Sequence, residues 1–188
     1  KVHIIEPDLN SLVHDTVTNG KFSATNKYQK ADVFIITVPT PFKEDHKPDI
    51  DFVISAAEGI APFLEKGNLI ILESTCPVGT SQLIVDMLSN IRPDLVLPNR
   101  ETQNKKVEVN FAYCPERVLP GEIIRELVNN DRIIGGITPD CAKKAKELYE
   151  VFVEGNCFLT DSKTAELCKL TENAFRDMNI AFANELSI

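Results

Sequence analysis

Val33-Phe34-Ile35-Ile36-Thr37-Val38, followed by Pro39-Thr40-Pro41, decides how this chain is read. The run is almost unbroken in apolar, mostly β-branched residues. That is the pattern of a strand covered on both faces of a parallel sheet, not the alternation of a half-exposed strand. It stops where Pro39 and Pro41 remove backbone donors. The same unit recurs downstream. Leu69-Ile70-Ile71-Leu72 leaves into Glu73-Ser74-Thr75-Cys76-Pro77-Val78-Gly79-Thr80, and Val109-Asn110-Phe111-Ala112-Tyr113 leaves into Cys114-Pro115-Glu116-Arg117-Val118-Leu119-Pro120-Gly121. Arg132–Gly136 is a fourth strand, and Cys157-Phe158-Leu159 is a short fifth.

Helices fill the intervals. Asp8 or Asn10 can cap one running to about Asn19, with Gly20 past its end. Asp49 or Asp51 starts a second through Leu64, closed at Gly67. A third spans about Ser81 to Asn90. Thr138 and Pro139 form an N-cap and first-turn pair for a helix reaching Glu154. Asp161 or Ser162 caps a long last one. Val2–Ile5 leads into a turn at Glu6-Pro7, and Phe42–Asp49 and Arg92–Lys106 read as loops. The alternation predicts an α/β fold with a mostly parallel, partial Rossmann-like doubly wound sheet, followed by a long helix.

Ligands of such sheets sit beyond the carboxyl ends of the strands. Three strands here leave into loops of Thr, Ser, Glu and Pro: VPTP, ESTCPVGT and CPERVLPG. One such loop is ordinary turn chemistry; three in succession predict a ligand-binding edge. Because Glu73–Thr80 precedes a helix, the Gly79 and Thr80 amides can face a phosphate. The last helix, KTAELCKLTENAFRDMNIAFANEL from Lys163 to Leu186, carries Leu167, Leu170, Ala174, Met178 and Ala181 at helical spacing, an apolar stripe. Glu166, Lys169, Asn173 and Arg176 lie on another side. Lys169 and Asn173, four apart, point the same way and can donate to one oxygen; a solvated polar face is the plainer reading.

The 188 residues, 43% of them hydrophobic, suffice for a folded domain with a core. A formal charge of −8 argues against a nucleic-acid surface. Five scattered cysteines (76, 114, 141, 157 and 168) show no CxxC pair or metal spacing, which suggests reduced thiols in cytoplasm and no metal. There is no membrane-length apolar run and no signal peptide. The chain starts at Lys1 without Met and reads as a piece of something longer. No G-x-G-x-x-G occurs, no HExxH, and no defensible Ser-His-Asp order. His3, His14 and His46 read as solvated.

Together, VPTP, ESTCPVGT, CPERVLPG and AELCKLTENAFRDMNIAFANEL, in this order and covering nearly the whole chain, resemble the nucleotide-sugar 6-dehydrogenases, the UDP-glucose/GDP-mannose dehydrogenase family. PERVLPG and RDMNIAFANEL look most like the branch acting on UDP-N-acetyl-D-mannosamine; the UDP-glucose branch has a second acid where Pro120 stands. The resemblance implies that residues 1–160 are the later part of an NAD-binding Rossmann-like domain and 161–188 the start of a central helix through which a homodimer forms. It implies oxidation of a UDP-sugar C6 alcohol to a carboxylate with two NAD, through a thiohemiacetal and a thioester on a cysteine. None of the five cysteines here matches that nucleophile, so this piece alone is expected to be inactive. By position, Lys169 and Asn173 match the pair that holds the C6 oxygen, and Glu116 matches an acid assisting hydrolysis. Thr75 matches a threonine near the nicotinamide and a water. Pro39, Thr40, Ser74 and Thr75 fall on the cofactor side. Arg117 is either a substrate contact or a structural ion pair. A UDP-N-acetylglucosamine or UDP-glucose enzyme, a non-catalytic nucleotide-sugar binder and a dimerising structural piece stay open.

Overall fold

A computed structural model describes residues 4–99 and 106–187 of the chain. The expectations for Val2, His3 and the 100–105 part of the polar loop lie outside them. Five strands form one sheet in the order β1 (Val33–Ile36), β2 (Leu69–Leu72), β3 (Asn110–Tyr113), β4 (Arg132–Gly136) and β5 (Cys157–Asp161). β1, β2 and β3 pair in parallel, β4 runs antiparallel to β3, and β5 is parallel to β4. The sheet is thus mostly parallel, as expected. The reversal at β4 brings the first residues of β4 to the edge where β3 ends, because Tyr113 stands opposite Gly135.

Residue alternation sorts the core into two layers. Ile70, Leu72, Phe111 and Tyr113 face α2 (Asp51–Ile60) and α3 (Thr80–Ile91), packing with Val53, Ala57, Ile84, Val85 and Leu88. Leu69, Ile71, Ala112 and Cys114 face α5 (Pro139–Tyr149), against Ala142, Ala145 and Tyr149. β2 and β3 are buried along their full length, which is why their sequences are continuous apolar runs. Thr138 caps α5, its side chain accepting from the Cys141 N–H, but the helix ends at Tyr149, short of Glu154. α1 (Leu9–Thr18) follows Asp8, whose side chain makes no capping bond. A helix the sequence reading left out, α4 (Ile123–Asn129), connects the CPERVLPG loop to β4.

α6 (Ser162–Leu186) is capped by Asp161, which accepts from the Thr164 N–H at 3.0 Å. Its first turns lie against β4 at Gly135, where an added Cβ would meet the Ala165 Cβ and the Asp161 carbonyl at 2.6 Å each. Only glycine allows that approach. The buried residues of α6 are Ser162, Ala165 and Glu166. The expected apolar stripe does not pack within this chain: Leu167 is 56% exposed and Met178 70%. Among the described residues no helix is long and apolar enough to cross a membrane.

Candidate active site

The exit loops of β1 and β2 are sewn together by two hydroxyls. Ser74 Oγ donates to the Val38 carbonyl at 2.8 Å, and Thr40 Oγ1 donates to the Thr75 carbonyl at 2.7 Å. Two of the residues expected to face the cofactor therefore use their hydroxyls internally. Pro39 is exposed, and the half-buried Thr75 makes no side-chain hydrogen bond among the described residues.

The N-terminus of α3 corrects another expectation. Gly79, at φ 97°, turns the chain into the helix. Its N–H donates to Glu166 Oε2 at 2.5 Å, and the Ser81 N–H donates to Oε1 at 2.8 Å. Glu166 is fully buried. A carboxylate of α6 thus fills the place where a phosphate was expected, and Glu166 does not belong to the solvated polar face. Helix N-termini bind anions irrespective of their source, because orphan amides and the helix dipole favour negative charge. Glu6 does the same for α4, accepting from the Gly121 N–H at 2.8 Å and the Ile123 N–H at 2.6 Å.

One turn beyond Glu166, Lys169 reaches the exit loop of β3. Its Nζ donates to the Glu116 backbone carbonyl at 2.7 Å. Burial holds its ammonium below the ordinary lysine value, with nearby Arg117 and Arg176 acting in the same direction and Glu172 and Glu116 opposing. Arg117 forms an ion pair with Glu172 Oε1 at 2.8 Å, the structural alternative of its two readings. Glu116 Oε1 accepts from the Arg117 N–H at 2.6 Å, and Oε2 lies 3.5 Å from Arg132 Nη2. Glu116, Arg117 and Lys169 therefore meet at one point of the sheet edge. Asn173, one turn further along α6, is exposed and its side chain makes no hydrogen bond among the described residues.

Behind this point is a polar layer that the sequence reading missed. Tyr149 donates its hydroxyl to Glu73 Oε1 at 2.5 Å. Burial raises the Glu73 carboxyl above its ordinary range, the Glu116 charge adds to this, and the Tyr149 hydrogen bond and Arg132 oppose it. Only position signals these residues: Glu73 opens the ESTCPVGT loop, and Arg132 is a charge at the head of an apolar strand. Burial pushes the Cys76 thiol to about 12 and the Cys114 thiol to about 11, so both are protonated at neutral pH. A partly buried ammonium beside a half-exposed carboxylate can hold an oxygen that gains negative charge and can orient a water.

Known proteins with this architecture share its sequence. The NAD-binding domain of the UDP-glucose/GDP-mannose dehydrogenase family matches residues 1–153, and that family's central domain matches 163–188. The chain belongs to this family. It is 56% identical over 187 residues to a UDP-N-acetyl-D-mannosamine dehydrogenase of Yersinia pestis, covering 100% of this chain and 44% of that protein. It is 54% identical to an NDP-N-acetyl-D-galactosaminuronic acid dehydrogenase of Ralstonia nicotianae, again covering 100% of this chain and 44% of that protein. The structure of UDP-D-ManNAc dehydrogenase from Pyrococcus horikoshii superposes with a TM-score of 0.89 at 41% identity, over 98% of this chain and 42% of that one. The chain thus spans less than half the length of these relatives.

Proposed function

We propose that the protein oxidises the C6 alcohol of UDP-N-acetyl-D-mannosamine to the uronate, with NAD accepting hydride when bound. Residues 1–160 are assigned to the NAD-binding domain and 161–188 to the start of a central helix. The observation that carries the proposal is the meeting of Lys169 with the Glu116 loop: the Nζ, held 2.7 Å from the Glu116 carbonyl, is a half-buried donor beside a carboxylate. An ammonium has three donors, so two remain for a substrate oxygen. In this reading Lys169 and Asn173 hold the C6 oxygen as it gains negative charge, and Glu116 orients the water of the hydrolytic step. Pro39, Thr40, Ser74 and Thr75 line the cofactor side. Thr40 and Ser74 shape it by tying the loops, and Thr75 presents a free hydroxyl. The α3 N-terminus is not part of a phosphate seat, since Glu166 occupies it.

The 188 residues alone are proposed to be inactive. Cys76, Cys114 and Cys141 are buried, Cys157 and Cys168 are half-buried, and none of the five matches the family's nucleophile by position. For the whole protein, Pro120 replaces a side-chain acceptor with a ring. This favours an N-acetyl group over the hydroxyl of glucose, because a lost hydrogen-bond partner costs discrimination and added room costs little. A second reading, the galacto epimer, rests on the nearly equal identity to the Ralstonia relative. The test is kcat/KM of the whole protein for the UDP-linked N-acetylmannosamine, N-acetylglucosamine, N-acetylgalactosamine and glucose. The manno sugar is expected first and UDP-glucose poor; UDP-glucose first would refute the substrate assignment.

A further inference from the structure

Arg132 is 5% exposed, yet it is the first residue of β4 and carries a permanent charge. A guanidinium is retained at such depth only where other groups replace its water. Its Cζ lies over the Tyr149 ring, 4.8 Å from the centroid, and 5.9 Å from that of Phe152. A cation so placed is attracted by the negative face of the ring. Nη2 donates to the Leu127 carbonyl at 3.3 Å and stands 3.5 Å from Glu116 Oε2. Nε is buried and makes no hydrogen bond to oxygen or nitrogen among the described residues, with the Cys114 thiol beside the guanidinium. A buried ion left partly unsatisfied is a poor device for stability alone. What the arrangement does achieve is placement: the adjoining rings of Tyr149 and Phe152 wall the guanidinium, and its Nη2 stands 3.5 Å from Glu116 Oε2.

The antiparallel turn of β4 makes this possible. The opposition of Tyr113 and Gly135 puts the start of β4 level with the loop that leaves β3. Glu116 is then held from two sides, Oε1 by the Arg117 N–H and Oε2 by Arg132, so its carboxylate cannot rotate without losing one of them.

We propose that Arg132, packed against the adjoining rings of Tyr149 and Phe152, is a positioning residue that orients the Glu116 carboxylate for the oxidation of the sugar. The inference rests on the function proposed above. The charged groups near Glu116 are Arg132 from β4, Lys169 from α6, Arg117 beside it in the loop and Glu73 from the exit of β2, with Cys114 and Tyr149 also against the guanidinium. Removing Arg132 leaves Oε2 without its cation while the Arg117 N–H still holds Oε1, so the carboxylate is free to turn.

The experiment uses the whole enzyme, wild type and with Arg132→Gln, Arg132→Lys and Glu116→Gln. Arg132→Gln is expected to lower kcat at least about tenfold with KM changed less than about threefold. Arg132→Lys should restore only part of the rate. In the Glu116→Gln background, Arg132→Gln should cost less than about twofold more, because the two residues act as one unit. An unchanged kcat, or an equal loss in both backgrounds, overturns the inference while leaving the dehydrogenase reading intact. Should Arg132→Gln fail to fold, Phe152→Leu removes one of the two rings against the guanidinium. A smaller loss of kcat that disappears in the Glu116→Gln background supports the proposal, and an unchanged kcat or an equal loss in both backgrounds overturns it. A wild-type enzyme that oxidises none of the nucleotide sugars overturns the functional reading and this inference together.

Discussion

Glu166 offers the sharpest test of how α6 is held. Its two oxygens accept from the Gly79 and Ser81 N–H groups at 2.5 and 2.8 Å, and no part of the residue is exposed. A hydrogen bond to a charged group contributes about 1.5–3 kcal/mol, and a buried donor left unpaired costs about 1–3 kcal/mol. Glu166→Gln keeps one acceptor but turns an NH2 toward the other amide, so it should destabilise by about 2–3 kcal/mol. Glu166→Ala loses both bonds and opens a void beside Ala165, and should cost about 3–5 kcal/mol. Against a total stability on the order of 5–15 kcal/mol, that is a large fraction. Urea denaturation gives the difference, and amide hydrogen exchange locates it: the Ser81 amide should lose protection first. If Glu166→Ala costs less than about 1 kcal/mol and Ser81 stays protected, the carboxylate is not what joins α6 to α3.

Three further outcomes are expected. In the native chain an aromatic disulfide reagent should label Cys157 and Cys168, which are half-buried, while Cys76, Cys114 and Cys141 react only after denaturation; rapid labelling of Cys114 would contradict its burial. Glu73→Gln should raise Tm at about pH 8 with a gain that fades toward about pH 4, because a carboxyl whose proton affinity is raised in the fold favours the folded state below the ordinary carboxylate range and loses that advantage as pH rises through its raised value. A gain that is constant with pH would refute this. Phe175, Met178, Phe182 and Leu186 are 65–73% exposed on α6, so the chain should self-associate in sedimentation, and Phe182→Glu should weaken it; a wild-type monomer at high concentration would count against this interface.

How much of this was legible in the sequence depends on how local the cause is. Leu69–Leu72 was readable as a buried strand because burial on two faces leaves an unbroken apolar run. Val33–Val38 was readable as a strand but not as one covered on both faces, because β1 is Val33–Ile36 at the edge of the sheet, with Ile35 48% exposed. The Thr138 cap was readable because its partner, Cys141, is three residues away. Lys169 and Glu116 were singled out, and their meeting follows from α6 lying back across β4 at Gly135. The misreadings all have distant causes. Gly79 and Thr80 looked like a phosphate seat because the carboxylate that takes the Gly79 and Ser81 amides lies on α6, 87 residues from Gly79. α4 escaped notice because Glu6, 117 residues before Ile123, supplies a cap that the local sequence lacks. On α6 the apolar stripe stays largely exposed, with Leu167 at 56% and Met178 at 70%, and the face that packs is the one with Ala165 and Glu166, where small size and two amide partners decide the matter instead of hydrophobicity. Arg132 would have needed knowledge that β4 runs antiparallel, which no local pattern carries.

The central claim is that Lys169 is aimed at the oxygen whose charge changes. Steady-state kinetics of Lys169→Ala in the whole protein, with UDP-N-acetyl-D-mannosamine and NAD, tests it most directly. Loss of one such donor lowers kcat by about 10²–10³-fold with KM little changed, and Asn173→Ala does less. An unchanged kcat with a raised KM would make Lys169 a binding residue and contradict the role assigned to it.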